Sequence, residues 1–391
     1  MMKITGLSAL VCNAEMRNWI FVRVETDVPG LVGWGEATLE FKTRAVVGAL
    51  DDLAPLVIGQ DPRDIEQCMQ IMTRHSFWRM GVIGMSAISG IEMALWDILG
   101  KELGVPVWRL LGGKVRDHLR TYTHLGLGDM RAVYETETSA TLVGHAHRVV
   151  DLGYDAFKVV CIPYTHYLAP NRDVDRVARL MGDLRDAVGP DVEIMVDFHG
   201  RPASVAAARP YLDAMAAARV MFVEEPVPPE DMAGLAEITR LSPVPVAAGE
   251  RLIGRGAFAQ ALAVRAFHIA QPDICHVGGL METKRIAAMA ETAGVGLAPH
   301  NPLGPIAGIA ALHFGISTPN VIIQEEMSGA VPWYDSVVTW PITRRPGRWD
   351  LPEKPGLGLE VDEGVIAAHP MKPEIIHTRN AVLADGTIVD W

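Results

Sequence analysis

Six ionisable residues recur at nearly even spacing through the second half of the sequence, and they constrain the fold more than any other feature. The intervals between them are 27, 26, 23, 27 and 25 residues, and the six are Asp197, Glu224, Glu250, Asp273, His300 and Glu325. Most of them follow a short apolar run of β-forming residues. A barrel of eight β/α units uses about 250 residues, so each unit takes roughly the observed interval.

Short β-rich runs alternate with helical patterns from residue 118 onward. Helical patterns such as 174–187 and 283–293 separate the predicted strands, which are 118–123, 155–160, 193–197, 219–224, 244–250, 267–273, 295–300 and 320–325. This alternation predicts a (β/α)₈-type barrel, in which the carboxyl ends of the strands converge on one face. We therefore expect the six ionisable side chains to share one site. Helix capping by Asp or Glu is the alternative, but it accounts for one or two of them rather than all six.

Residues 1–117 have a different order of predicted strands and helices, which indicates an α+β domain. A hairpin is expected from 19–26 and 31–36, followed by helices over 43–58, 63–76 and 85–103. The last helix contains Glu92, Asp97 and Lys101, which favours a buried helix over a membrane span. The predicted boundaries are 1–117 for this domain, 118–345 for the barrel, and 346–391 for a segment that packs back on the N-terminal domain.

Charge and cysteine content narrow the functional classes. The chain of 391 residues has 35 Lys and Arg against 47 Asp and Glu, a net charge of −12, which argues against nucleic acid or an anionic membrane as a partner. Four cysteines without a CxxC pair predict free thiols rather than a disulfide framework or a zinc cluster. The N-terminal residues do not resemble a signal peptide. Together these features predict a cytoplasmic protein.

Three carboxylates on neighbouring predicted strands predict a metal site. Asp197, Glu224 and Glu250 would repel one another strongly at one point unless a cation lay between them, and oxygen ligands favour Mg²⁺, with Mn²⁺ possible in its place. Adjacent strand residues face opposite ways, so only one of Glu224 and Glu225 points into the site, and we take it to be Glu224. The alternative is three unrelated helix caps.

Several motifs, in this order and spacing, resemble the enolase superfamily. They include GWGEATLE (33–40), VDFHGR (196–201), VEEP (223–226), AAGER (247–251), QPDICHVGG (271–279) and LAPHNPLGP (298–306). Within the superfamily they are most similar to the mandelate racemase subgroup and its galactonate dehydratase-type acid-sugar dehydratases. The resemblance implies a modified TIM barrel, (β/α)₇β, with an N-terminal α+β capping domain. It also implies bound Mg²⁺ and removal of the proton α to a carboxylate, a mechanism for which the superfamily is known.

Two histidines are candidates for the proton transfers. Neighbouring barrel strands lie about 4.8 Å apart, so Asp273 can hydrogen-bond His300 and raise its basicity. The resemblance implies that this pair is the catalytic base. It also implies that His199 is the general acid that protonates the leaving hydroxyl, and that Glu325 stabilises the enolate by a hydrogen bond. The alternatives are a structural role for His300, support of the metal ligands by His199, and a salt bridge for Glu325.

Lys158 and Val160 bear on the reaction type. In many relatives a Lys-x-Lys pair on this strand supplies a second base, but Val160 occupies the second position here, which favours a one-base dehydratase over a two-base racemase. Galactonate dehydratases usually have a polar residue there, so the substrate stays open. Candidate substrate-binding residues are Lys158, Glu40, Lys42, His124, Asn18, Trp19, Arg201 and Tyr164.

The predicted function is Mg²⁺-dependent dehydration of a sugar acid, an aldonate such as galactonate or gluconate, to a 2-keto-3-deoxy acid through an enolate. The alternatives are a racemase, epimerase or cycloisomerase acting on a 2-hydroxy or sugar acid, and a non-catalytic relative. Similar barrel enzymes commonly associate, so we also expect a homo-oligomer, with Trp78, Trp333 and Tyr334 as candidate interface residues.

Overall fold

The N-terminal domain is built on a three-stranded antiparallel sheet. The computed structural model describes residues 2–75, 77–126, 138–374 and 381–391. Strand β2 (Arg17–Thr26) lies between β1 (Ile4–Ala14) and β3 (Val32–Glu36). The β2–β3 hairpin was predicted from the sequence, whereas β1 was not. Ile20, Phe21 and Val22 at the centre of β2 are all fully buried, so both faces of this strand are covered.

Four helices complete this domain: α1 (Thr43–Val57), α2 (Ile65–Arg74), α3 (Gly81–Leu103) and α4 (Val107–Leu110). By length and apolar composition α3 is the one helix among the described residues that could span a bilayer, but 78% of its most apolar stretch is buried inside this fold. Its charged residues are also internal. Asp97 is buried, accepts a hydrogen bond from the Trp34 backbone N–H, and pairs with Lys101 at 2.7 Å.

Backbone contact between β3 and α3 explains the glycines of the GWGE motif. A Cβ atom on Gly35 would lie 1.9 Å from the carbonyl oxygen of Gly90, and one on Gly33 would lie 2.1 Å from the carbonyl oxygen of Ala94. Neither position can therefore accept a side chain unless the strand and the helix move apart.

Parallel strands form a closed barrel in the second domain. In the described residues they are β4 (His118–His124), β5 (Ala156–Val159), β6 (Glu193–Asp197), β7 (Phe222–Glu224), β8 (Val246–Ala248), β9 (Ile269–Ala270), β10 (Gly296–Leu297) and β11 (Gln324–Glu325). Each strand from β4 to β9 pairs with the next along the chain, and Leu297 of β10 forms an isolated bridge with Val321, just before β11. Pairing of β11 with β4 closes the barrel.

Helices connect successive barrel strands, as the sequence predicted. They are α5 (Ser139–Asp151), α6 (Asn171–Val188), α7 (Val205–Met215), α8 (Met232–Leu241), α9 (Gly254–Ala263), the short α10 (Ile274–Val277) with α11 (Gly279–Thr292), and α12 (Pro305–Ile316). The last strand, β11, has no such helix after it in the described residues, which gives the predicted (β/α)₇β order.

Six of the eight barrel strands are shorter than predicted, while β4 is one residue longer and β6 has the predicted bounds, and this changes where the six ionisable residues lie relative to the strand ends. Asp197, Glu224 and Glu325 are the last residues of their strands, whereas the other three lie two or three residues beyond theirs. All six nevertheless lie at the carboxyl face, because each short strand is followed directly by a loop on that face.

The C-terminal segment contacts both domains. Strand β13 (Arg348–Asp350) forms a hairpin with β12 (Arg344–Arg345) and pairs antiparallel with β4. The first residues of the predicted 346–391 segment therefore extend the barrel sheet instead of packing on the N-terminal domain. Farther along, Gly356 accepts a hydrogen bond from the Val107 N–H, and helix α13 (Glu363–Ala368) leads to a bridge between Pro370 and Cys12.

We expect Gly35→Ala to lower the free energy of unfolding by about 1–3 kcal/mol or more, because the added methyl must push α3 away from β3. Equilibrium urea unfolding measures this loss. Gly48→Ala is the matched control: Gly48 is exposed inside α1 with no atom within 4 Å of an added Cβ, so this change should stabilise by about 0.5–1 kcal/mol. Equal stability of the Gly35→Ala variant and the parent would contradict the close packing.

Candidate active site

A cavity of about 560 Å³ lies at the carboxyl face of the barrel, beneath the N-terminal domain. Both domains and the C-terminal segment contribute to its wall. Its polar lining residues include Arg17, Glu40 and Lys42 from the N-terminal domain, His124, Lys158, Asp197, His199, Glu250, His276 and His300 from the barrel, and Trp391 from the C-terminal segment.

Buried carboxylates and one lysine form the floor of this site. Asp197 on β6 is the register partner of Glu224 on β7, so their side chains start from adjacent positions. Lys158 Nζ lies 2.8 Å from Glu224 Oε2, 3.4 Å from Asp197 Oδ2 and 2.8 Å from Glu325 Oε1. All four side chains are essentially inaccessible to solvent. The lysine charge is therefore shared among three carboxylates.

The pKa values of these groups reflect an excess of negative charge. Burial, together with repulsion from Asp197 and Glu250, raises the pKa of Glu224 well above its usual range. Burial also opposes ionisation of Asp197, but His199 and Lys158 outweigh it and lower the pKa of Asp197 to about 2. One ammonium group does not neutralise the cluster.

The donor set fits a divalent cation. Glu224 Oε1 is buried and has no hydrogen-bond partner among the described residues, so one carboxylate oxygen is left for another ligand. Ligand atoms of Glu224, Glu250 and His300 lie within 4.8 Å of one another. Carboxylate oxygens are the ligands that Mg²⁺ and Mn²⁺ prefer. Glu224 and Glu250 could therefore hold such an ion, and Asp197, the register partner of Glu224, stays the predicted third ligand.

Glu225 lies outside this cluster. Its carboxylate pairs with Arg251, and burial followed by repulsion from Glu250 raises its pKa to about 8. The neighbouring Glu224 faces Lys158. The structure thus places the two adjacent glutamates on different partners, with Glu224 in the cluster.

His300 and Asp273 form a hydrogen-bonded pair at the edge of the cluster. Nδ1 of His300 lies 2.8 Å from Asp273 Oδ2, and Nε2 lies 2.8 Å from Glu250 Oε2. Burial disfavours the imidazolium, but Glu250 and Asp273 outweigh burial and raise the pKa of His300 well above its ordinary value. Asp273 therefore fixes Nδ1 as the donor to itself, which leaves Nε2 directed at the carboxylates.

His199 contacts Asp197 from a strained backbone position. Its φ of 53° lies in the left-handed region, and its N–H donates to Asp197 Oδ1 at 2.9 Å. The ring atom Nε2 lies 3.2 Å from Asp197 Oδ2. On its other side the imidazole ring lies 5.3 Å from the indole of Trp391. This backbone conformation turns the imidazole back toward the carboxylate two residues earlier.

Glu325 is held as a carboxylate. It pairs with Lys158 and with His124 Nε2, which is 2.7 Å from Oε1, and Oε2 accepts a hydrogen bond from the Asn301 N–H. Burial opposes ionisation, but Lys158 and His124 outweigh it and hold the pKa of Glu325 well below its usual range. The salt bridge considered as the alternative is thus present, and a protonated Glu325 is not favoured by this arrangement.

Four of the eight predicted substrate-binding residues line the cavity: Lys158, Glu40, Lys42 and His124. Lys158 is almost completely buried within the carboxylate cluster, and Glu40 is paired with Arg17. Lys42 is exposed at the cavity. Lys42 is thus the most accessible cation among the four.

Asn18 and Trp19, both predicted to bind substrate, lie outside the cavity lining. The Asn18 amide donates a hydrogen bond to the Lys372 carbonyl at 2.9 Å and so links the C-terminal segment to the N-terminal domain. Trp19 packs edge-on against Trp333 and Tyr334 in the interior. Trp333 and Tyr334, both predicted as interface residues, therefore take part in internal packing.

Tyr164 and Arg201 are likewise outside the cavity lining. The Arg201 guanidinium lies 4.7 Å from the centre of the Tyr164 ring and donates to the Ile162 carbonyl. This cation–π contact fixes the loop after β5 to the loop after β6. Both were predicted to bind substrate, and in the structure they connect these two loops.

Arg17, His276 and Trp391 are among the cavity-wall residues that were not predicted from the sequence. Arg17 binds the Pro302 carbonyl at 2.5 Å, and His276 Nδ1 lies 3.6 Å from Asp273 Oδ2. His276 had a usable signal, because it follows Asp273 by three residues in the QPDICHVGG motif. The sequence around Trp391 gives no such signal, because Trp391 contacts His199 only when the C-terminal segment folds back over the barrel.

Comparison with known families agrees with this geometry. Residues 141–365 match the family model described as enolase C-terminal domain-like, and residues 9–112 match that of the mandelate racemase / muconate lactonizing enzyme N-terminal domain. The chain belongs to the mandelate racemase / muconate lactonizing enzyme family. The enolase superfamily predicted from the motifs is thereby confirmed, as is the capped (β/α)₇β barrel.

Relatives of this family member include named enzymes and solved structures. The chain is 38% identical over 382 residues to D-galactonate dehydratase of Klebsiella pneumoniae (strain 342). The aligned region covers 95% of this chain and 96% of that enzyme. D-galactonate dehydratase of Verminephrobacter eiseniae (strain EF01-2) is 39% identical over 383 residues, with the same coverage. The crystal structure of an enolase superfamily member from Salmonella Typhimurium superposes with a TM-score of 0.88 at 31% identity, covering 95% of this chain and 99% of that one.

Glu224→Gln should weaken Mg²⁺ binding at least about 10–100-fold, because it removes one charge from the carboxylate set. Isothermal titration of the chelator-treated protein measures this change. Glu225→Gln is the matched control, since it removes an adjacent buried carboxylate that pairs with Arg251, and it should change the affinity far less. A larger loss in the control would mean that the wrong glutamate has been assigned to the metal.

Proposed function

We propose that this protein is a Mg²⁺-dependent hydro-lyase that converts a sugar acid to a 2-keto-3-deoxy acid. The observation that carries the proposal is the presence of two histidines, His199 and His300, on one cluster of buried carboxylates. Elimination of water needs one group to take a proton and another to deliver one, and these two rings occupy separate positions on that cluster. The full-length similarity to D-galactonate dehydratases supports the same reaction class.

A divalent cation held by Asp197, Glu224 and Glu250 would supply positive charge for the substrate carboxylate, which makes the adjacent C–H more acidic. Lys158 adds a fixed positive charge at the same place. The ion pairs that it forms with Glu224 and Glu325 hold its ammonium group in position. In this proposal Lys158 also binds the substrate carboxylate, and Lys42, Glu40 and His124 contact the hydroxyl groups.

His300 removes the proton from C2 of the substrate. Its Nδ1 is committed to Asp273, so Nε2, once unprotonated and released from its contact with Glu250, is the atom that accepts the proton, and the C–H electron pair becomes that of an enolate. Asp273 stabilises the imidazolium that results, because its negative charge lies next to the new positive one.

His199 then protonates the hydroxyl group that leaves from C3. Cleavage of the C–O bond and formation of the C2–C3 double bond release water and give an enol. This enol tautomerises to the 2-keto-3-deoxy acid. Hydroxide is a poor leaving group, so this proton transfer is what separates elimination from simple exchange of the C2 proton.

Val160 disfavours a racemase or epimerase. Those reactions need a second base on the opposite face of the substrate, and Val160 lies in the cavity wall at the position where a Lys-x-Lys pair would place it. An isopropyl group cannot transfer a proton. The same residue removes a polar contact from the cavity, so we keep both galactonate and gluconate as candidate substrates.

We also expect a cytoplasmic homo-oligomer. All four cysteines are free thiols, in keeping with a reducing compartment. Trp333 and Tyr334 are used in packing against Trp19, whereas Phe77 and Trp78 are 88% and 79% exposed. These two aromatics are the candidates for contact with a second copy.

Incubation with Mg²⁺ and a panel of aldonic and aldaric acids, with a colorimetric 2-keto acid readout, tests the function. We expect turnover of at least one aldonic acid, its loss in EDTA, and its return when Mg²⁺ is restored. Heat-inactivated protein is the control. Racemisation or epimerisation without any 2-keto acid would favour the isomerase alternative, and full activity after exhaustive chelation would exclude the metal role.

Dehydration and C2-proton exchange, measured separately, should distinguish the roles of the two histidines. His300→Asn should abolish both dehydration and exchange of the C2 proton with D₂O, whereas His199→Asn should block dehydration and retain exchange. Loss of a general acid or base typically costs about 10²–10⁴ in rate. Product formation and NMR detection of deuterium at C2 measure the two processes. Normal dehydration by a His199→Asn variant that still binds Mg²⁺ would refute the acid role.

A further inference from the structure

We propose that Glu36 of the capping domain is a positioning residue for the base His300. This inference rests on the proposed function, because it concerns how the proton-abstracting imidazole is held. Glu36 does not line the cavity and is fully buried at the end of β3. It acts through the backbone of the barrel loop that carries His300.

Glu36 caps a barrel helix from the other domain. Its Oε1 accepts a hydrogen bond from the Gly304 N–H at 2.7 Å, and its Oε2 accepts one from the Ala307 N–H at 2.8 Å. Helix α12 begins at Pro305 without a side-chain cap from its own N-cap residue, Gly304. The carboxylate of Glu36 therefore satisfies N–H groups that the helix itself leaves unpaired and meets the positive end of the helix dipole.

The capped turn is also the turn that holds His300. Gly304 follows His300 by four residues, and two further contacts fix the residues between them. Arg17, also from the capping domain, donates to the Pro302 carbonyl, and the Asn301 N–H donates to Glu325. His300 thus precedes a turn whose backbone is tied down at three successive points.

The same end of β3 reaches the other member of the pair. Thr38 Oγ1 donates to Glu36 Oε1 at 2.7 Å, and the Thr38 carbonyl lies 3.1 Å from His276 Nε2. His276 in turn lies 3.6 Å from Asp273. Residues 36–38 of the capping domain therefore contact both loops that deliver the catalytic pair.

Hydrogen bonding explains why a carboxylate is kept in this place. Burial raises the pKa of Glu36 to about 7, while the hydrogen bonds from Ala307, Thr38 and Gly304 act in the opposite direction. All three partners are donors, so the ionised acid matches them and a glutamine cannot, because its NH₂ group would face an N–H. Because the fit depends on charge as well as shape, an isosteric amide should displace the turn.

Glu92 provides a matched control within the same chain. It is also a fully buried capping-domain carboxylate, and it accepts hydrogen bonds from the Leu280 and Met281 N–H groups at the start of α11. Asp273 lies seven residues before Leu280 and is held locally, because its Oδ1 accepts a hydrogen bond from the Cys275 N–H at 2.7 Å. Glu92 should therefore stabilise the domain contact without setting the position of His300.

We expect Glu36→Gln to lower kcat and C2-proton exchange together, by about 10–10²-fold, as a small misplacement of a reacting group can do. The Mg²⁺ affinity should be unchanged. Hydrogen–deuterium exchange read by mass spectrometry should show faster exchange in a peptide covering residues 301–310. Glu92→Gln should lose comparable thermal stability, keep kcat and C2-proton exchange near those of the parent, and leave that peptide unchanged.

Three outcomes would overturn the positioning role. They are normal C2-proton exchange in the Glu36→Gln variant, an equal kinetic loss in the Glu92→Gln variant, and unchanged protection of residues 301–310. If Glu36→Gln does not fold, Thr38→Val is the second variant. It removes one hydrogen bond to the same carboxylate, together with the one that Thr38 accepts from the Ile20 N–H, and it should produce the same kinetic and exchange changes at smaller amplitude. A parent protein without activity on any acid would refute the proposed function, while the exchange data on residues 301–310 would still test the contact.

Discussion

The concentration of buried negative charge at the mouth of the barrel is the constraint on which the rest of the site depends. Three strands deliver Asp197, Glu224 and Glu250 to one place, and removing such groups from water is costly unless opposite charges or donors meet them. Lys158, His199 and His300 meet them in part. A bound divalent cation would complete the neutralisation. The side chains that make the cluster tolerable are thus the same ones proposed to carry out the chemistry.

The features predictable from sequence are those fixed locally. Each barrel strand is a short apolar run, and an ionisable residue at its end must lie at the carboxyl face whatever the neighbouring strands do. This is why the positions of Asp197, Glu224 and His300 could be inferred without coordinates. Strand β1 was missed because residues 4–14 lack a clear alternation, and its pairing partner, not its own pattern, makes it a strand.

Features that depend on how the two domains dock could not be predicted in the same way. Asn18 and Trp19 have residue types suited to binding a sugar, yet the docking turns them toward the C-terminal segment and the interior, while Arg17 next to them reaches the cavity. Trp391 reaches His199 for the same non-local reason. The capping domain is therefore more than a cover: through Arg17, Glu36 and Thr38 it contacts the loops that present the catalytic pair.

Closure of the barrel has a consequence for how the chain folds. Gln324 on β11 pairs with Thr121 on β4, so the last strand must find a partner synthesised about two hundred residues earlier. Contacts between residues so far apart in sequence lose loop-closure entropy before the strand pairing stabilises the chain, and they slow folding. Until β11 arrives, one edge of β4 stays open to incorrect strand pairing, and Lys158 lacks one of its carboxylates. The reaction centre of the nascent chain is therefore incomplete until the last barrel strand has been synthesised, and the open strand edge before that point is a site for aggregation.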